Sequence, residues 1–128
     1  MLGLAAAVGA AFPLLAQRPP LGMLDGLDRG RWELRAREPG GDIQHVCVGD
    51  VRGLIQLRHP GNACQRLVVD DSDSEVTVQY TCPGRGFGRT HIRRETGRLV
   101  QIDTQGVAGG LPFSSSLEGR RVGECAAR

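Results

Sequence analysis

The densest chemistry in this chain is a run of arginines, Arg85, Arg89, Arg93, Arg94 and Arg98, with His91 set among them. Successive side chains of a strand point to opposite faces, so Arg89, His91 and Arg93 fall on one face and Arg94 on the other. A row of exposed guanidiniums around an imidazole is a grip for an anionic group, such as a lipid phosphate or an acidic glycan. The bland alternative is a solvated strand face balanced by Glu95. A formal net charge of only +2 is too small to imply a polyanionic partner by itself. The stretch Arg85-Gly86-Phe87-Gly88 matches the opening of the RNA-recognition signature. That chemistry stacks bases on aromatic faces, and Arg89 and Ile92 stand where two of those aromatics belong. No nucleic-acid partner is expected.

The remaining polar clusters are weaker. Asp70-Asp71-Ser72-Asp73-Ser74-Glu75 has the look of a calcium loop, but one starting at Asp71 lacks the required glycine and the closing bidentate acid. A solvated turn explains it better, because turns select Asp and Ser. His45, His59 and His91 are scattered, with no metal-binding pair at helical spacing. Ser114-Ser115-Ser116 is not embedded in a nucleophile elbow. Glu33 and Glu38 form no acid and base pair. No catalytic residue, metal or cofactor is therefore nominated.

Four cysteines, Cys47, Cys64, Cys82 and Cys125, read as two disulfides. Their gaps are too long for a zinc site, and no Cys-x-x-Cys occurs. Two β-branched runs, Gln65–Val69 and Glu75–Tyr80, surround a polar turn, which is a hairpin signal. Centred near Asp73, that turn sets Cys64 opposite Cys82, Val68 opposite Val78 and Arg66 opposite Tyr80, where the guanidinium would lie on the ring. Opposed residues of a non-hydrogen-bonded pair are close enough to bridge, which leaves Cys47 for Cys125.

Residues 1–16 carry no charge, contain Pro13 and end in Leu14-Leu15-Ala16 before Gln17. The stretch is short for a bilayer span and has the features of a secretory leader cut after Ala16. No transmembrane segment remains in the mature chain. The expected organisation is a leader over 1–16, a lead-in over 17–29 stiffened by Pro19 and Pro20, and one β domain over 30–125.

Trp32, Leu34 and Ala36 alternate with charged neighbours, the pattern of a half-buried strand. Pro39-Gly40-Gly41 turns the chain into a strand over Ile43–Val48, and Asp50 caps a short helix ended by His59-Pro60-Gly61. After the hairpin, strands are expected over Thr90–Glu95, Leu99–Gln105, Phe113–Leu117 and Arg120–Cys125. With glycine at 19 of 128 residues and aromatics at 4%, turns and short strands are favoured over a thick core. The expectation is a mainly β fold: a curved antiparallel sheet or small, partly open barrel of about seven or eight strands with one short helix and two disulfides.

Gly30-Arg31-Trp32-Glu33-Leu34, the cysteine hairpin, Tyr80-Thr81-Cys82-Pro83-Gly84 and the closing Gly119-Arg120-Arg121-Val122-Gly123-Glu124-Cys125 occur in one order. This arrangement resembles the domain of unknown function 3617 family, small exported proteins of Proteobacteria. The resemblance implies export to the periplasm or beyond and a β-rich fold, and supplies no catalytic residue or ligand. The expected function is binding without catalysis, of a small amphipathic or anionic ligand or a protein partner, with Arg89, His91 and Arg93 as the gripping residues. The alternative is a small hydrolase or isomerase assembled from Arg and His side chains distant in sequence. The discriminating feature is whether the sheet encloses a cavity or is filled by Trp32, Leu34, Val78, Val100, Ile102 and Phe113.

Overall fold

A computed structural model describes residues 2–10 and 19–126. Leu2, Leu4 and Val8 are exposed in a stretch without regular structure. The expected cut between Ala16 and Gln17 lies outside the described residues. Among the described residues no helix is long and apolar enough to cross a membrane.

Seven antiparallel strands form one open sheet: β1 (Gly30–Ala36), β2 (Ile43–Val48), β3 (Gln65–Asp71), β4 (Glu75–Cys82), β5 (Gly86–Thr96), β6 (Leu99–Ala108) and β7 (Leu111–Gly123). Their order is β2-β1-β7-β6-β5-β4-β3, so β2 and β3 are the two edges. The segment joining them carries a 3₁₀-helix, Val51–Gln56, which Asp50 caps by accepting from the Arg52 amide at 2.9 Å. A single-turn α-helix, α1 (Gly22–Asp25), precedes β1.

One face of the sheet is apolar at alternate positions and is filled: Trp32, Leu34, Val76, Val78, Ile92, Val100 and Ile102 are all inaccessible to solvent. The cover comes from Leu24 and Leu27 around α1 and from Val51, Leu54 and Ile55 of the 3₁₀-helix. The lead-in expected over 17–29 thus contributes to the core from Leu21 onward. Buried polar groups fix the cover to the sheet. Thr90 Oγ1 donates to the Ile55 carbonyl at 2.6 Å, satisfying a helix-end acceptor, and lies 2.7 Å from Thr104 Oγ1 on the neighbouring strand. Gln56 Nε2 donates to the carbonyls of His59 and Asn62. Asp71 on β3 accepts the Leu21 amide at 2.9 Å, and Asp25 receives Arg52 at 2.8 Å.

Both disulfides form as expected, Cys47–Cys125 and Cys64–Cys82. Arg66 pairs with Tyr80 and Val68 with Val78 in the β3–β4 register, and a bulge follows at Val69. Three details differ from the sequence expectation. The Arg66 guanidinium donates to Gln56 Oε1 at 3.0 Å instead of stacking on Tyr80. Arg120–Cys125 is no separate strand, since Arg120–Gly123 continues β7. Gly119 within it is a close-packing position where a Cβ would press on Val100 and Leu34. Phe113 is only half-buried, at the end of the core face, with Arg58 5.0 Å above its ring.

Thr90→Val keeps the shape but leaves the Ile55 carbonyl unpaired, and should lower unfolding free energy by about 1–3 kcal/mol in denaturant titrations. Cys125→Ser should cost about 2–5 kcal/mol by the same measurement. Peptide mapping without reduction should return the two bridges above, and a Cys47–Cys64 peptide would refute the pairing.

Candidate functional site

The uncovered face of the sheet carries the residues nominated from sequence. On β5 the side chains of Phe87, Arg89, His91 and Arg93 point outward, and Gly88, Thr90 and Ile92 point into the core. Register with β6 sets Phe87 beside Val107, Arg89 beside Gln105 and His91 beside Asp103. On the other side Gln79 of β4 neighbours Arg89, and Ser114 of β7 neighbours Gln105.

Two contiguous hollows cross this face. The larger, about 680 Å³, is lined by Gln79, Phe87, Arg89, Gln105, Val107 and Ser114 among others. The smaller, about 300 Å³, holds Arg89, His91, Asp103, Gln105, Ser114 and Ser116. Arg89, Gln105 and Ser114 belong to both. Phe87, 53% exposed, gives the larger hollow an apolar end.

The three nominated residues differ in how free they are. Arg93 lies outside both hollows and pairs with Glu95 at 3.2 Å. His91 Nε2 is 3.4 Å from Glu75 Oε1. Arg89 is exposed and, among the described residues, has no acidic partner. Asp103 is committed elsewhere: it accepts the Ser116 hydroxyl at 2.6 Å and pairs with Arg37. Burial works to raise the Asp103 pKa, but Ser116, Arg37 and the nearby His91 outweigh it and hold the carboxyl below its ordinary value.

The glycines of the RNA-recognition-like stretch have a packing role. A Cβ on Gly88 would strike the Tyr80 ring, and one on Gly86 would collide with the Val107 carbonyl. Tyr80 needs that space because it reaches the buried His59, whose Nδ1 lies 3.0 Å from the Tyr80 hydroxyl. His59 Nε2 faces the Arg85 carbonyl at 3.1 Å, so it carries the hydrogen and Nδ1 accepts from Tyr80. Burial raises the Tyr80 pKa above its ordinary value. This histidine is a satisfied structural pin. Among the described residues no serine hydroxyl bonds a histidine, and no three His, Cys, Asp or Glu side chains gather as a metal site. The acidic run sequence reading compared with a calcium loop is the β3–β4 turn, where Ser72 Oγ accepts the Glu75 amide at 3.0 Å.

A second, more apolar cleft of about 540 Å³ lies between β2 and the 3₁₀-helix, lined by Val46, Val48, Leu54, Leu57 and Pro60, with Arg66 and Asp50 of opposite charge. Nothing in the sequence pointed to it, since it forms where the connector passes the sheet edge. What the outer hollows offer is an unneutralised guanidinium, amide and hydroxyl groups, and an exposed ring. That set can hold an anionic head beside an apolar tail. No protein-family model, curated protein or solved structure matches the chain, so the likeness to the domain of unknown function 3617 family rests on its residues alone.

Because the Asp103 pKa is depressed in the folded state, the carboxylate stabilises the fold above its unfolded pKa, and this contribution disappears as pH falls through the folded value. The group is half exposed, so its effect is small and screened by salt. Asp103→Asn should flatten the dependence of Tm on pH below about pH 4. Superimposable profiles for the variant and the parent would refute this coupling.

Proposed function

We propose that this is an exported protein, periplasmic or secreted, that binds a small anionic amphiphile on its open sheet face without transforming it. The observation that carries this reading is Arg89: an exposed guanidinium with no acidic partner among the described residues, shared by both hollows, two residues along the same strand face from the exposed ring of Phe87. A hollow of this size suits a small ligand, and a charge-assisted hydrogen bond from Arg89 would orient it. Two disulfides support an oxidising compartment. The likeness to a family of exported proteins supports the same compartment.

Dodecyl phosphate, kept below its micelle concentration, is a suitable probe for calorimetric titration. Arg89→Ala should weaken its binding at least about tenfold, the lower end for a lost hydrogen bond to a charged group. Tm should stay almost unchanged, because the side chain is exposed and unpaired. Arg93→Ala, which removes a partner of Glu95 outside the hollows, should leave affinity nearly intact. Equal affinity for Arg89→Ala and the parent would overturn the assignment.

A further inference from the structure

One end of the molecule is built by three segments: the loop after the 3₁₀-helix, the β4–β5 turn and the β6–β7 turn. They meet where Arg58, Asn62, Gly84, Arg85, Ala108 and Gly109 line a small hollow. Residues 58–66, 79–89 and 105–114 contain four arginines, Arg58, Arg66, Arg85 and Arg89, and no aspartate or glutamate. None of the four has a carboxylate partner among the described residues; Arg58 lies over Phe113, and Arg66 donates to Gln56. The carboxylates that share a hollow with any of the four are already engaged: Asp103, near Arg89, holds Arg37 and Ser116, and Asp50, near Arg66, accepts the Arg52 amide.

Apolar side chains stand exposed among these charges. Leu111 is 71% exposed and Phe87 53%, with Pro83 and Pro112 exposed nearby. The β6–β7 turn has only Gly109 and Gly110 between the paired Ala108 and Leu111, and both glycines have positive φ, 58° and 78°. This two-residue loop sets Leu111 at the start of β7 on the Phe113 side of the sheet, exposed beyond the end of the cover, while Phe87 projects from the open side at the same end. Protruding apolar residues ringed by unpaired arginines match a surface with negative headgroups above hydrocarbon.

We infer that this end of the molecule docks on the surface of an anionic lipid bilayer, Leu111 and Phe87 entering the headgroup layer and Arg58, Arg85 and Arg89 meeting phosphates. A bilayer would be the natural source of an amphiphile for the adjoining hollow, and the docking surface shares Arg89 and Phe87 with that site. Arg85 and Leu111 lie outside both hollows, so they separate the two.

The test is co-sedimentation of the full chain with vesicles of phosphatidylglycerol and phosphatidylcholine in equal parts, against phosphatidylcholine alone. The parent should bind the anionic vesicles, lose binding as salt rises, and bind the neutral ones weakly. Arg85→Ala should reduce partitioning about fivefold, the worth of one arginine near an anionic surface. Leu111→Asp should reduce it at least about tenfold, since it withdraws an apolar anchor and adds repulsion. Dodecyl phosphate affinity should be the same in both variants, so loss of vesicle binding alone isolates the docking surface. Equal binding to neutral vesicles would overturn the inference. So would wild-type partitioning by a variant carrying both Arg85→Ala and Leu111→Asp, which would assign lipid affinity to the apolar N-terminal stretch.

Discussion

A sheet with one apolar face must have that face covered, and here the cover is a connector with little secondary structure of its own. It leaves one sheet edge after β2, crosses the core face as the 3₁₀-helix, and enters the other edge at β3. A six-residue 3₁₀-helix contributes little by itself, because its hydrogen bonds are poor and its few turns do not reinforce one another. What holds it is external. Cys47 lies just before the connector and Cys64 is its last residue, so each end is anchored by a disulfide. Between those anchors, Thr90 takes the Ile55 carbonyl, and His59 and Gln56 fix the descending loop. The bridges therefore act on the covering segment in the native state as well as on the unfolded chain.

This arrangement dictates the glycines at the far end of the sheet. Tyr80, Gly88, Gly106 and Phe113 lie in one row across β4, β5, β6 and β7. A Cβ on Gly88 would strike the Tyr80 ring and one on Gly106 the Phe87 carbonyl, so both positions must be bare where His59 packs with its ring centroid 5.3 Å from Tyr80 and 6.2 Å from Phe113. Gly88 also belongs to the stretch that imitated a nucleic-acid signature. The spacing of these glycines follows from covering the core.

How much of this was legible depended on range. Alternation in Trp32–Ala36 and the symmetry of the hairpin about Asp73 are local, and they yielded β1, β3, β4 and the Cys64–Cys82 bridge. Arg89, His91 and Arg93 shared a face for the same reason. Their differing freedom was not legible, because the neighbours that decide it come partly from other strands: Gln79, Gln105 and Ser114 around Arg89, Glu75 against His91. Phe87 stood two residues from Arg89 and could have been joined to it by alternation alone. Phe113 misled because strand parity predicts a face without saying how far the cover extends along it. Arg66 turned from Tyr80 because the connector offers an amide acceptor that no β-hairpin rule contains.

Near-neutral charge was the least informative signal, because it is an average over two different kinds of surface. Carboxylates cluster where the fold needs them: Asp25 on Arg52, Asp71 on the Leu21 amide, Asp28 on Arg98 and Asp103 on Arg37. Most of these contacts join segments far apart in sequence. Among the described residues, the arginines at the far end, Arg58, Arg66, Arg85 and Arg89, have no carboxylate partner. Repulsion among them is tolerated because the side chains are exposed and water screens them. A cation unpaired in the free protein keeps its hydration until a ligand replaces it, and no internal ion pair must first be broken. Segregating the acids into structural contacts thus leaves the arginines of the open face and its tip available for an external anion, whatever the chain's total charge.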